Sequence, residues 1–141
     1  NFYYLMSLVS KKIPLPLNIK KNSRSFVSIE NVNNFIEICL THKLAKNETF
    51  HLSDGKDLST QELLDILAKN MKVRLFLFSF PNLIIKIFLR LLKKENIYNS
   101  LFESLKIDIT KNYQILNWSP SRKFETNIKE TVKHYLNEKN I

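Results

Sequence analysis

The stretch NSRSFVSIENV, residues 22–32, decides how the rest of the chain is organised. Phe26, Val27 and Ile29 suit a mostly buried strand over 25–29, and Asn31 is placed to open the helix that follows. Arg24 stands at the head of that strand, directly after a Lys/Asn/Ser loop at 18–23. A guanidinium there implies either a solvated strand end or an anion such as a phosphate. Taken alone, the solvated end is the more economical account.

Upstream, Phe2, Leu5, Met6 and Val9 recur on one face of a helix over 2–11. IPLPL (13–17) then forces an extended segment, because two alternate prolines cannot join a central strand. Downstream, the helix over 31–42 should turn Val32, Phe35, Ile36, Cys39 and Leu40 inward. ETFHLSD (48–54) alternates as a strand, with Gly55 as the turn. In LSTQELLDILAKNM, Ser59 and Glu62 form a capping box ahead of Leu63, Leu64, Ile66 and Leu67. VRLFLFSFPNLIIKIFLRLL (73–92) is apolar enough to suggest a span, but Arg74, Lys86 and Arg90 oppose one and Pro81 divides it. The spacing predicts a strand at 73–78 and a packed surface helix, with Leu83, Ile84, Ile87, Phe88 and Leu91 inward. Short helices at 96–104 and 110–117 follow, and the terminal helix over 126–138 carries Ile128, Val132, Tyr135 and Leu136 on its inner face.

The composition bounds the function classes. At 141 residues, 44% hydrophobic and 25% charged, the chain can bury one core. A single glycine rules out nearly every phosphate-cradling loop, and neither GxGxxG nor GxxxxGK[ST] occurs. The net charge of +9 admits an anionic small molecule or membrane surface. Its lysines are dispersed, and with no nucleic-acid-binding motif present, nucleic acid is not an expected partner. Cys39 is alone and lies in an apolar run, which fits a packed thiol in a reducing cytoplasm. His42, His51 and His134 have no ligand spacing, so no metal site is expected. Tyr135 and Lys139 spell YxxxK, a spacing that lets a lysine lower a tyrosine pKa, but the pair lies in the last helix near the terminus and reads as chance. The chain opens on Asn rather than Met and is expected to be a piece of something longer.

In order, IPLPL, RSFVSIENV, FHLSDGKDLSTQELL, SLKIDITKNYQILNWSP and a terminal helix ending in HYL are similar to the C-terminal part of extended short-chain dehydrogenases. These are the NAD-dependent epimerases and dehydratases of sugar nucleotides, and the flavour is that of UDP-hexose 4-epimerases of surface-polysaccharide pathways. The resemblance implies an α/β fold, a small mixed substrate-binding domain over 1–141 without the Rossmann dinucleotide-binding half. NAD, the catalytic Ser/Thr and the family's YxxxK would belong upstream, leaving no catalytic residue here and the isolated chain inactive. It further implies a UDP-sugar substrate, a cytoplasmic setting, a homodimeric intact enzyme and no membrane contact. Asn1 matches the asparagine that approaches the sugar nucleotide, and Leu15 and Leu17 match the stretch whose backbone meets the uracil edge. Arg24 matches the arginine that binds the diphosphate, a role suited to its planar fork. Asn31 stands where many relatives carry Asp, as a helix cap in both.

Two departures limit the transfer. Tyr98, Leu101 and Leu105 occupy the region where some epimerases place an arginine and a carboxylate, so substrate preference does not carry over. Leu116-Asn117-Trp118 replaces the usual Leu-Gly-Trp, and asparagine tolerates the left-handed conformation required there. A 4-dehydrogenase or reductase of UDP-sugars is the second reading within the family. From another class, a non-enzymatic basic module could lie on a membrane surface through residues 82–94.

Overall fold

Apolar residues recurring at helical spacing account for most of the regular structure. The computed structural model describes residues 2–139. In chain order its elements are α1 (Phe2–Ser10), β1 (Arg24–Ser25), α2 (Ile29–Thr41), a 3-10 turn (Lys43–Ala45), β2 (Asp57–Leu58), α3 (Thr60–Met71), α4 (Asn82–Leu91), α5 (Glu95–Phe102), α6 (Thr110–Leu116) and α7 (Phe124–Lys139). The class is mixed α/β, predominantly helical with a two-stranded sheet. Helices α1, α3 and α7 pack on one another around the main core. Met6 and Val9, Leu63, Leu64 and Leu67, and Ile128, Val132 and Tyr135 supply its centre. Each such side chain contributes about 1.5–3 kcal/mol relative to leaving it in water.

The start of α3 is fixed as its sequence predicts. The Ser59 hydroxyl accepts from the Glu62 N–H at 3.2 Å, and the Glu62 carboxylate accepts from the Ser59 N–H at 2.8 Å. Both bonds satisfy donors that the first turn would otherwise leave without partners. At the other end Lys72, not a glycine, takes the left-handed conformation with φ 55°.

The strand expectations need correction. Of 25–29, only Ser25 lies in a strand, β1, which pairs antiparallel with β2 in the register Arg24↔Leu58 and Ser25↔Asp57. On its other side β1 meets Leu105: the Ser25 N–H donates to the Leu105 carbonyl and the Leu105 N–H to that of Ser23, both at 2.9 Å. Residues 48–54 and 73–78 form no strands. The latter meets the proline segment through a parallel bridge, Leu15↔Leu77. Alternating prolines deprive 13–17 of every second donor, which confines the pairing to that bridge.

A second apolar cluster joins α2, the 3-10 turn and α6. Trp118 is 2% exposed, sits edge-on to Phe35 with centroids 4.9 Å apart, and donates its indole N–H to the Asn34 side chain at 2.8 Å. Asn117 takes φ 49° at the end of α6, so the asparagine meets the left-handed demand. Helix α2 departs from expectation twice. Its cap is Ser28, whose side chain accepts from the Asn31 N–H, while Asn31 itself is fully buried. Ile36 and Leu40, expected inward, are exposed, because the cluster engages only the Phe35 side of the helix.

Helix α4 corrects the largest expectation. None of its residues is buried, and Leu83, Ile84, Ile87, Phe88 and Leu91 face outward. It packs against α5, with Lys86 lying 5.4 Å above the Tyr98 ring. Tyr98 in turn stacks on Phe102.

Candidate functional site

Arg24 occupies the junction of β1 and α5. Its Nη1 donates to the carbonyl of Glu103 at 2.8 Å and to that of Asn99 at 3.1 Å. Both acceptors lie at the C-terminal end of α5, where unpaired carbonyls gather negative partial charge. Two bonds through one nitrogen fix the plane of the guanidinium while leaving Nη2 and Nε for a second partner. A strand mouth and a helix end therefore converge on one oriented cation.

Arg24 lines a surface cavity of about 550 Å³. Phe2, Tyr4 and Phe26 supply aromatic wall, Ile97 and Leu101 aliphatic wall, and Lys94 a second cation. Among the described residues, no acidic side chain contributes to the lining. The chemistry is that of a receptor for an anion attached to an apolar or aromatic body. Sequence reasoning missed Lys94 and Ile97, although with Leu101 they fall at i, i+3 and i+7, on one face of α5.

The other expected site residues are placed differently. Leu15 and Leu17 are buried in the main core, against the cluster that Phe2, Leu5, Phe26 and Leu101 also join, and neither lines the cavity. The main chain of Leu15 is committed: its N–H donates to Phe76 and its carbonyl accepts from Phe78, both at 3.0 Å. At Leu17 the carbonyl accepts from the Ile19 N–H at 2.8 Å, and a carbonyl retains a second lone pair. Asn1 lies outside the described residues.

A second cavity, about 400 Å³, adjoins the first across Phe2 and Phe26. Its polar wall is Ser28, Glu30, Asp54, Asn127 and Thr131. The Asp54 carboxylate accepts from the Ser28 N–H at 3.0 Å, the Asn31 Nδ2 at 2.7 Å and the Asn127 Nδ2 at 3.1 Å. Asp54 sits at the N-terminus of α2, so dipole and amide donors balance its charge. These bonds tie the loop, α2 and α7 together, and the first cavity is the better receptor for an anion because, among the described residues, two cations and no acid line it. The residue beside it, Ser53, accepts from the Gly55 N–H at 3.0 Å, a turn-forming contact at the left-handed glycine. Tyr135 is buried with its hydroxyl 3.2 Å from that of Ser10, whereas Lys139 lies over the ring of Tyr3. That geometry gives YxxxK two separate structural tasks.

The resemblance to a partial extended short-chain dehydrogenase is matched by comparison with known proteins. Over 141 residues the chain is 37% identical to a UDP-glucose 4-epimerase of Vibrio cholerae, a match covering 99% of this chain and 43% of that protein. It thus spans less than half the length of the curated relative it matches. No family model matches. The fold is similar to that of RMD from Pseudomonas aeruginosa, solved in complex with NADPH, with a TM-score of 0.64 at 11% identity over 96% of this chain and 41% of that one. It is also similar to a putative epimerase from Burkholderia cenocepacia J2315, with a TM-score of 0.62 at 16% identity over 95% of this chain and 41% of the other. Both likenesses concern the fold.

Proposed function

We propose that this chain is the sugar-nucleotide-binding portion of a UDP-hexose 4-epimerase that acts with a nicotinamide cofactor. The observation that carries the reading is the oriented Arg24 beside Lys94 in a cavity with an aromatic wall and no acid. A nucleoside diphosphate has the matching parts: an aromatic base, and two phosphates that a guanidinium edge can meet with paired hydrogen bonds.

The cofactor, when bound, would accept hydride from sugar C4 and return it. A seat outside this chain is supported by its glycine content, since Gly55, the sole glycine, lies in a turn beside Pro120 rather than in a phosphate loop. Its seat is assigned to a portion preceding residue 1. The task of this chain is then to grip the diphosphate while the sugar turns, so that contacts remote from the reacting carbon support the chemistry. The hexose is not assigned.

The test is nucleotide affinity in the enzyme assembled with its preceding portion. Arg24→Ala should weaken UDP binding by roughly tenfold to a hundredfold, equivalent to one charge-assisted pair. Arg24→Lys should restore little, because a point charge cannot reproduce the fork. Unchanged affinity by calorimetry in a folded Arg24→Ala enzyme would refute the assignment.

A further inference from the structure

The outer face of α4 is the least explained surface of the molecule. Leu83, Ile87 and Leu91 are 68%, 52% and 78% exposed and stand at i, i+4 and i+8. Ile84 and Phe88, 53% and 60% exposed, widen the same face. The half-buried residues of the helix, Ile85 and Leu89, lie on the other side. The usual polarity of a surface helix is therefore inverted, with the apolar face turned to solvent. Lys86 and Arg90, four residues apart, run along one edge, and Lys93 and Lys94 follow the helix end. Between Asp65 and Glu95 the chain carries Lys or Arg at seven positions and no acid.

We infer that α4 is a docking helix for an anionic lipid surface, lying in the interface with its apolar face among the acyl chains and its cations at the headgroups. Charge selects the occupant. A second copy meeting this face about a two-fold axis would bring Lys86, Arg90 and Lys93 towards their own counterparts, which like-charge repulsion opposes. An anionic bilayer supplies a complementary field and an apolar layer together. No helix among the described residues is long and apolar enough to cross a membrane, and none is needed for this mode. Attachment of this kind is compatible with the sugar-nucleotide reading, with Lys94 alone among these cations also lining that cavity.

The enzyme assembled with its preceding portion should co-sediment with vesicles containing about a third phosphatidylglycerol and not with pure phosphatidylcholine. Binding should fall as salt is raised and stay unchanged when UDP is added. The double variant Ile87→Glu/Phe88→Glu should abolish it with the circular dichroism spectrum preserved, since both side chains are exposed. Arg90→Gln/Lys93→Gln should lower partitioning by roughly fivefold for each charge removed. Failure of the folded, assembled enzyme to bind phosphatidylglycerol vesicles, as when the preceding portion covers α4, would overturn the inference. So would equal binding by the Glu variant, or a concentration-dependent dimer that the Glu variant dissociates, which would assign the face to a second copy.

Discussion

Replacing Asn31 with Leu, a residue of similar size, would remove four hydrogen bonds from a site that is fully buried. The Asn31 Nδ2 donates to the Asp54 carboxylate at 2.7 Å and to the Arg122 carbonyl at 3.1 Å. Its Oδ1 accepts from the Arg122 N–H at 3.1 Å and the Ser121 hydroxyl at 3.2 Å. One amide therefore ties α2 to the loop carrying Asp54 and to the segment that leads into α7. The bond to the carboxylate is worth about 1.5–3 kcal/mol and each neutral bond about 0.5–1.5 kcal/mol. Leucine returns part of this through apolar burial, and partners near the surface recover some hydration, so the net loss should be about 3–5 kcal/mol. In a domain of this size that lowers the melting temperature by roughly 10–15 °C. Urea unfolding followed by both circular dichroism and Trp118 emission would measure it. Asn31→Asp sharpens the test, because it sets two carboxylates against each other, and acid supplies the proton they can share. That variant should be destabilised near neutrality and recover as the pH falls, while Asn31→Leu should show no such recovery. A loss below about 1 kcal/mol for Asn31→Leu would refute the tether and favour a simple helix-start role.

Ser59→Ala should cost about 1 kcal/mol in urea titrations, since the hydroxyl caps α3 and the Glu62 N–H loses its acceptor. Glu62 titrates below its ordinary range, first through the Ser59 backbone N–H and then through the Ser59 hydroxyl. A depressed carboxyl contributes stability that is present above its unfolded value of about 4.3 and is lost as pH falls through the lower folded value. Glu62→Gln should flatten the stability profile in that acidic window and nowhere else, with a small amplitude because the side chain is exposed; an unchanged profile would exclude the box as its source. Trp118→Phe should lose about 1–3 kcal/mol, from the indole N–H bond to Asn34 and the edge contact with Phe35. In the unmodified protein, iodide should barely quench Trp118, and strong quenching would show the second cluster to be open.

How much was legible followed how local the determinants were. Helices α1, α3 and α7 could be read because each carries its own apolar stripe, and α3 also its own cap. The strands could not, because β1 is held by residues some 30 and 80 positions away and spans two residues, too short for alternation to register. Asn31 was misplaced for a related reason. Any Asn before an apolar run suggests a cap, and only the fold brings Asp54 and Arg122 within its reach. At the site, the guanidinium was visible but its anchor was not, since the Asn99 and Glu103 carbonyls belong to a helix 75 and 79 residues downstream.

Helix α4 isolates the limit of periodicity most clearly. The pattern establishes that Leu83, Ile84, Ile87, Phe88 and Leu91 share a face, but the structure leaves that face exposed rather than buried. Periodicity records which residues act together. Whether they are covered depends on what other surface the molecule offers, and here α4 packs against α5 with Lys86 over the Tyr98 ring, while its half-buried residues are Ile85 and Leu89. With the inner side already engaged, the stripe that should have been core becomes the part of the helix available to a partner. The long run without an acid around it then says more about that partner than the stripe does. Apolar faces are common to cores, dimers and bilayers, whereas a run of cations without an intervening acid opposes a second copy and favours anionic lipid.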